Sequence, residues 1–396
     1  MSILNSAKNA KIASQLLQGL SEETRIKALQ AISESILKNA DSILKENKKD
    51  VRNAIENNLA PSLIDRLTLL EKNIQSLASM CLEVAKQKQI VGILSEAHTR
   101  ADGLLIQKQR IPLGVIGMIF ESRPNVVVDG AALAIKSGNA IILKGGKEAQ
   151  HTNRKLFEII NLAITEILPN GSISLIETRD DVAEMLTLNK YIDLMVPRGG
   201  SALINYVKAN ATMPVVAHDK GLCHLYVHAD CSVDAIAIVL NAKVQRPGVC
   251  NSIETLILNE HYPHSTEIIN ALKKAKVEIK FPATDDDYAT EWLDKKISIK
   301  MVKNHQEAIE HIKKYSSHHT EAILAQDQNV IADFMNSLDA SCIVINASTR
   351  FNDGSELGLG AELGISTSKL HAYGPMGAAE MTATRFIVTG HGHIRN

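Results

Sequence analysis

No CxxC pair occurs anywhere in this chain of 396 residues, and its five cysteines, Cys81, Cys223, Cys231, Cys250 and Cys342, are odd in number and widely scattered. That excludes the dense disulfide framework of small secreted domains and leaves the thiols expected as reduced. Charge of one sign is also missing. With 43 basic against 44 acidic residues and a formal net charge of −1, no global field draws nucleic acid or an acidic membrane, so any anionic ligand must be held by local cations. No stretch approaches the ~20 apolar residues needed to span a bilayer, and the opening MSILNSAKNAKIASQLL lacks an apolar block with a small-residue cleavage site. The expected location is therefore the cytoplasm. Repeats, low-complexity tracts and Pro/Ser-rich linkers are absent too, so domain boundaries have to be read from changes of pattern.

What is present is a large globular chain. Its 45% hydrophobic content can fill two or three domains of ordinary size. Residues 1–96 read as helices, with Ile26, Leu29, Ile32, Ile36 and Leu37 on one face, Ser21 as an N-cap and Asp41 as a cap for the next helix. From there the pattern changes to short apolar runs between amphipathic stretches: LGVIGMI (113–119), AIILK (140–144), SISLI (172–176), DLMV (193–196) and PVVA (214–217). Such alternation predicts a doubly wound parallel sheet. A second series, HLYV (224–227), a helix at 232–243, ETLIL (254–258), a helix near 265–275, EAILA (321–325) and CIVI (342–345), predicts a second α/β unit. GLLIQKQR (103–110) alternates polar and apolar residues, as a half-exposed strand does, and with ATRFIVTG (383–390) it is a candidate for pairing across subunits.

Several stretches could carry chemistry. Cys250, in QRPGVCN (245–251), lies between a predicted helix and strand, where a sulfur can project into a cleft and nearby cations such as Arg246 favour the thiolate. Read alone, it is more often a small buried hydrophobe. At a predicted strand end, Lys144 is followed by Gly145, Gly146 and then Lys147 at a helix start, an arrangement suited to an anionic ribose or phosphate. Gly199, Gly200 and Ser201 repeat that logic after DLMV, although a plain tight turn explains them as well. The ordinary G-x-G-x-x-G fingerprint follows no strand. Arg123 and Asn125, in SRPN, occupy the loop after LGVIGMI, where an amide donor could stabilise an oxyanion. No metal site is expected: Cys223, His224, His228 and Cys231 surround HLYV (224–227), which reads as a strand, and His391 with His393 do not complete a four-ligand zinc shell.

Four long collinear segments carry a resemblance. NAKVQRPGVCNSIETLIL (241–258), PLGVIGMIFESRPNVVVDGAALAIKSGNAIILKGGKEA (112–149), VPRGGSALI (196–204) and NASTRFNDGSELGLGAELGISTSKLHAYGPMG (346–377) resemble the glutamyl phosphate reductases, a branch of the aldehyde dehydrogenase superfamily. PSLIDRLTLLEKNI (61–74) agrees as well, so the likeness spans nearly the whole chain. It implies an aldehyde dehydrogenase-like α/β fold of two doubly wound, Rossmann-like domains plus a small oligomerisation arm. The division expected is a cofactor-binding domain at 1–220, with 98–112 contributing to the arm, a catalytic domain at 221–378 carrying Cys250, and an oligomerisation segment at 379–396.

The resemblance also implies roles. Cys250 is the nucleophile. Lys144 holds the adenosine ribose, Lys147 favours the 2′-phosphate of NADPH, and Gly199, Gly200 and Ser201 face the pyrophosphate. Glu291, in EWLDKKISI (291–299), matches the glutamate that holds the nicotinamide ribose. Arg123 and Asn125 are both possible counterparts of the superfamily's oxyanion asparagine; Asn125 is favoured for that role and Arg123 for an anionic substrate group. Arg246, Asn346, Ser348, Thr349 and Lys369 are candidates for the substrate's amino and carboxylate groups. One departure is visible at HAYGPMG, where Tyr373 stands at a position the family usually fills with arginine. Another is in AHDKGLCH (217–224), which lacks the glutamate that activates water in hydrolytic relatives.

The activity implied is NADPH-dependent reduction of L-glutamyl 5-phosphate to L-glutamate 5-semialdehyde and phosphate in proline biosynthesis, by a homo-oligomer (dimer or tetramer) that is functionally linked to glutamate 5-kinase. The alternatives are a reductase of another acyl phosphate or an acyl-CoA, and a catalytically silent binding protein with the same fold.

Overall fold

The amino-terminal periodicity becomes five helices, Ile3–Gln18, Glu22–Lys38, Ala40–Glu56, Pro61–Leu67 and Glu71–Lys86, in a computed structural model that describes residues 2–217 and 220–395. Ser21 caps the second of them, its Oγ accepting the Thr24 N–H at 3.1 Å. Leu29, Ile32 and Ile36 are fully buried. Leu37, expected beside them, is 50% exposed, because it follows Ile36 by about 100° around the helix and leaves the apolar stripe. Asn39, not Asp41, holds the N-cap position of the third helix, without a side-chain cap bond; Asp41 sits in its first turn, where its charge favours the helix dipole.

The chain divides into two units, Met1–Val216 with Gly358–Gly364 and Met376–Asn396, and Ala217–Leu357 with Ile365–Pro375. In the first, β1 (His98–Thr99) and β2 (Leu105–Pro112) form an arm, and β3 (Val115–Phe120), β4 (Ala140–Lys144), β5 (Ile173–Ile176) and β6 (Leu194–Arg198) form a parallel sheet in the order β5-β4-β3-β6. Every residue of β3 and β4 is buried, as a parallel sheet covered on both faces requires. Topology reverses at β3, with β4 and β5 to one side and β6 to the other. In such sheets ligands bind outside the carboxyl ends of the strands flanking that reversal. The strand expected at 214–217 shrinks to a single bridge between Met195 and Val215, next to Pro214, which has no N–H to donate.

In the second unit, β7 (Cys223–Val227), β8 (Ile253–Asn259), β9 (Glu278–Lys280), β10 (Lys296–Val302), β11 (Thr320–Leu324) and β12 (Cys342–Ile345) form a parallel sheet in the order β12-β11-β7-β8-β10-β9. Alternating side chains fill its two faces. Leu225, Val227, Leu256 and Leu258 pack with the helix Ala235–Val244 on one, whereas Tyr226, Ile257 and Ile323 pack with Ile309, Ile312 and Phe334 on the other. β9 and β10 were not expected from the sequence. A two-residue hairpin, β13 (Ile365–Ser366) with β14 (Gly374–Pro375), completes the unit.

Finally β15 (Thr382–Thr389) runs antiparallel to β2, from Thr382 opposite Pro112 to Thr389 opposite Leu105. The two stretches offered for pairing across subunits thus pair with each other inside one chain. The linear division at 221–378 and 379–396 is also corrected. Residues 358–364 belong to the first unit, where Gln87 Nε2 donates to the Leu359 carbonyl at 2.6 Å and Arg198 pairs with Glu362 at 3.1 Å. β15 places the carboxyl-terminal segment in that same unit.

Candidate active site

Cys250 lies on the turn between the helix Ala235–Val244 and β8, at the amino end of the second unit's sheet. It is half-buried. Burial pushes the other four thiols up: Cys81 to about 12, Cys223 well above its ordinary value, and Cys231 and Cys342 in the same direction. Those four therefore stay protonated at neutral pH and are poor nucleophiles.

The turn is pinned from several segments. Cys223 Sγ donates to the Cys250 carbonyl at 3.0 Å, and Thr349 Oγ1 donates to the Asn251 carbonyl at 2.6 Å. Asn251 Nδ2 donates to the Asn352 carbonyl at 2.9 Å, while its Oδ1 accepts from Arg350 Nη1. Gly221 passes so close that a methyl group on it would overlap the carbonyl oxygen of Cys250 and crowd that residue's other backbone atoms. Only glycine tolerates that approach. Glu291 fixes the same strand entry, its Oε1 accepting the Gly221 N–H at 2.8 Å, and burial raises its pKa. The residue expected to meet a cofactor ribose thus supports the peptide packed against Cys250. Beneath lies a buried ion pair, Lys243 Nζ to Glu254 Oε2 at 2.8 Å. Desolvation raises Glu254 to about 7 and lowers Lys243.

The candidate substrate contacts fare unequally. Asn346 Oδ1 accepts the Ala325 N–H and its Nδ2 donates to the Ala325 carbonyl, leaving one amide N–H, whereas Thr349 is fully buried with its hydroxyl donated to the Asn251 carbonyl. Ser348 Oγ accepts the Arg350 N–H at 3.3 Å from a buried position. Lys369 is held by Asp339 at 2.9 Å, and the same carboxylate accepts from Tyr373 Oη at 2.8 Å, so the tyrosine occupies the arginine position with a hydrogen bond. Arg246 is exposed. Sequence reasoning passed over Arg350, whose Nε donates to Gln245 Oε1 at 3.0 Å. Burial lowers its pKa; Asp353, Cys250 and Glu356 oppose that and Arg246 adds to it. Its only sequence signal was its place in the matched NASTRFNDG stretch.

In the first unit, the loops at the topological reversal are tied together. Glu148 Oε1 accepts from Ser122 N at 2.6 Å and from its Oγ at 2.7 Å, and Glu121 Oε2 accepts the Gly200 N–H at 2.9 Å. Lys144 ends β4 and is buried. Beyond it, Gly145, Gly146, Lys147, Gln150, Asn153, Leu175, Ile176 and Glu177 line a hollow. A methyl on Gly145 would collide with Asn153, which is 3% exposed and leaves Oδ1 without a partner. Bare backbone at a strand end that runs straight into a helix suits an adenosine ribose at the surface of this corner, above the buried Asn153. Gly200 caps the helix Ser201–Asn210, and no atom lies within 4 Å of where its methyl would be. Asn125 Nδ2 donates to Asp129 Oδ2 at 2.8 Å, leaving the amide's second N–H for another acceptor. Burial raises Asp129 to about 7, against Asn125, Arg198 and Arg123.

No group of three or more His, Cys, Asp or Glu side chains among the described residues could hold a metal. Cys223 and His224 lie within β7, as expected. Of AHDKGLCH, His218 and Asp219 lie outside the described residues. No described helix is long and apolar enough to cross a membrane.

Residues 7–291 match the model of the aldehyde dehydrogenase family. The chain is 44% identical to gamma-glutamyl phosphate reductase of Nautilia profundicola, over 98% of each chain, and 45% identical to that of Nitratiruptor sp., again over 98% of each. It superposes on the crystal structure of gamma-glutamyl phosphate reductase from Thermotoga maritima with a TM-score of 0.95 and 40% identity, covering 100% of both chains.

Proposed function

We propose that this chain, which belongs to the aldehyde dehydrogenase family and within it to the gamma-glutamyl phosphate reductases, reduces L-glutamyl 5-phosphate to L-glutamate 5-semialdehyde and phosphate for proline biosynthesis. Cys250 Sγ attacks the acyl carbon, the bond to the phosphate oxygen breaks, and a thioester remains on the protein. When bound, the nicotinamide cofactor supplies the hydride that this thioester carbon accepts. The thiohemiacetal sulfur then leaves as thiolate and frees the aldehyde. Oxyanion stabilisation is assigned to the Cys250 backbone N–H and to Asn125, with Arg123 and Arg246 as cations for anionic substrate groups. No glutamate stands in AHDKGLCH to activate water, so the thioester outlives hydrolysis and exchanges with phosphate.

The observation that carries this reading is the turn at the head of β8, bonded by Cys223, Thr349, Asn352 and Arg350 from separate segments, which presents Cys250 from a half-buried position. The cofactor we infer is NADPH. Lys144 and the Gly145–Gly146 corner take its adenosine ribose, exposed Lys147 takes the 2′-phosphate, and Gly199, Gly200 and Ser201 take the pyrophosphate. Glu291 takes the nicotinamide ribose while its Oε1 holds the Gly221 N–H. The setting we infer is the cytoplasm, beside the glutamate 5-kinase that would supply the substrate. A homo-oligomer, dimer or tetramer, is supported by β15, an edge strand whose Phe386 and Val388 are 66% and 57% exposed.

The test runs the reaction backwards, with L-glutamate 5-semialdehyde, phosphate and NADP. NADPH should form only when phosphate is present, and faster than NADH forms from NAD. Absence of phosphate-dependent turnover would remove the reading.

A further inference from the structure

We propose that the cavity walled by Arg350, Asp353 and Glu356 takes the zwitterionic head of the substrate, the guanidinium holding the α-carboxylate and the two acids the α-ammonium. This rests on Cys250 as the acyl-accepting nucleophile and makes the cavity the reason an amino-acid acyl group is selected. The opening measures about 270 Å³ and lies wholly within the second unit, lined by Asn241, Gln245, Arg350, Phe351, Asp353, Ser355 and Glu356. Six of those seven side chains are polar or charged, which disfavours a hydrocarbon chain.

Its position is set by the nucleophile's own turn. Arg350 Nη1 bonds Asn251 Oδ1, one residue from Cys250, and Nε bonds Gln245. Those bonds engage two of the guanidinium's five N–H donors, and the planar fork suits a carboxylate. Asp353 spends Oδ1 on Ser355, accepting from its N–H at 3.0 Å and its hydroxyl at 2.5 Å, which holds the carboxylate in one orientation. Three carbon–carbon bonds separate the acyl carbon of a glutamyl group from its Cα, so the head must bind close to the sulfur. Both signs of charge are then needed together. A substrate without the amino group leaves the acids uncompensated against bound carboxylate, the situation in which polar sites discriminate most strongly.

The test compares L-glutamate 5-semialdehyde with 5-oxopentanoate, which keeps the carboxylate and lacks the amine, in wild type and in Asp353→Asn/Glu356→Gln. The double variant should raise KM for the semialdehyde about tenfold or more, leave kcat within about twofold, and leave KM for 5-oxopentanoate unchanged or lower. An unchanged ratio between the two substrates, or an equal loss on both, overturns the assignment. A second measurement needs no turnover: the rate at which iodoacetamide alkylates Cys250, with L-glutamine or glutaric acid monoamide as protecting ligand. L-Glutamine should protect wild type at lower concentration than the monoamide, and the double variant should erase that difference. Equal protection in wild type sinks the proposal even if the enzyme turns over. Absence of phosphate-dependent turnover, with preferential protection intact, instead counts against the reaction and leaves the head-group site standing.

Discussion

The Cys250 turn and the glycine corner beyond β4 both place backbone where chemistry is expected, by opposite means. The turn is over-determined: Cys223, Thr349, Asn352 and Arg350 each bond it, and Gly221 is jammed against its carbonyl. The corner is defined by what is left out, with bare glycines at 145 and 146, an unpartnered Asn153 Oδ1, and open space over Gly200. A nucleophile has to hold its attack geometry without help from the ligand, because about 1 Å of displacement costs about 100-fold in rate. A nucleotide brings its own rigid rings and charges, so room and backbone donors suffice. Substitutions should therefore act on rate in the turn and on affinity in the corner.

The largest effect is expected at the sulfur. Cys250→Ala should lower kcat by at least about 1,000-fold while its melting temperature and its affinity for NADPH stay near wild type; titration calorimetry beside steady-state assays checks both. Cys223→Ala is the control within the same turn. It removes one S–H···O bond and a small buried volume, so a loss of a few-fold at most is expected, and a loss matching that of Cys250→Ala would move the nucleophile.

Next comes Gly221→Ala. The three atoms nearest the added methyl are all backbone atoms of Cys250, which cannot swing aside, so the turn itself must shift and kcat should fall about 100-fold. Iodoacetamide reactivity of Cys250 reports the displacement directly. A variant with wild-type kcat would show that the turn is not held as tightly as its hydrogen bonds imply.

Much of this was legible in the sequence, for identifiable reasons. Apolar runs such as AIILK and ETLIL lie in strands at the positions expected, since strands buried on both faces have little else to be. KISIKMV was passed over because its lysines imitate a solvated segment, although Ile297 and Ile299 are fully buried. Arg350 lies a hundred residues beyond Cys250 in the chain, and nothing in TRFND tells a solvated arginine from one folded onto Asn251. Thr349 illustrates the converse: its residue type suits a substrate, but only the fold shows its hydroxyl fully buried and donated to the Asn251 carbonyl. The return of 358–364 to the first unit depends on bonds across hundreds of residues, such as Gln87 to Leu359, which no local pattern encodes.

A smaller effect, on stability, should separate the loop before the helix Val126–Ser137 from the turn. Asp129 is raised from its ordinary 3.8 to about 7 chiefly by burial and further by Glu362; Asn125, Arg198 and Arg123 pull it down, and Cys81 also faces it. Between pH 4 and 7 the native state holds a proton that the unfolded chain has released. Stability from this group is therefore complete below about pH 4 and is lost as pH rises through 7. Asp129→Asn can still accept from Asn125, and should raise the melting temperature over wild type by ~2–4 °C at pH 8 with little difference at pH 4. Parallel pH curves for the two proteins would contradict the raised value.

The smallest effect tests the corner's side of the comparison. Gly200 has φ −71° and ψ 165°, a conformation open to any residue, and no protein atom lies within 4 Å of an added methyl. Gly200→Ala should thus change stability by no more than about 0.5 kcal/mol, the loss of a glycine N-cap being offset by a stiffer unfolded chain. Whatever the methyl obstructs must then come from the ligand. If the start of the helix Ser201–Asn210 faces the cofactor pyrophosphate, the dissociation constant for NADPH rises several-fold while alkylation of Cys250 by iodoacetamide keeps its wild-type rate. A variant with unaltered stability and unaltered NADPH affinity would show that the open space over Gly200 is plain solvent, and the pyrophosphate would have to be assigned elsewhere.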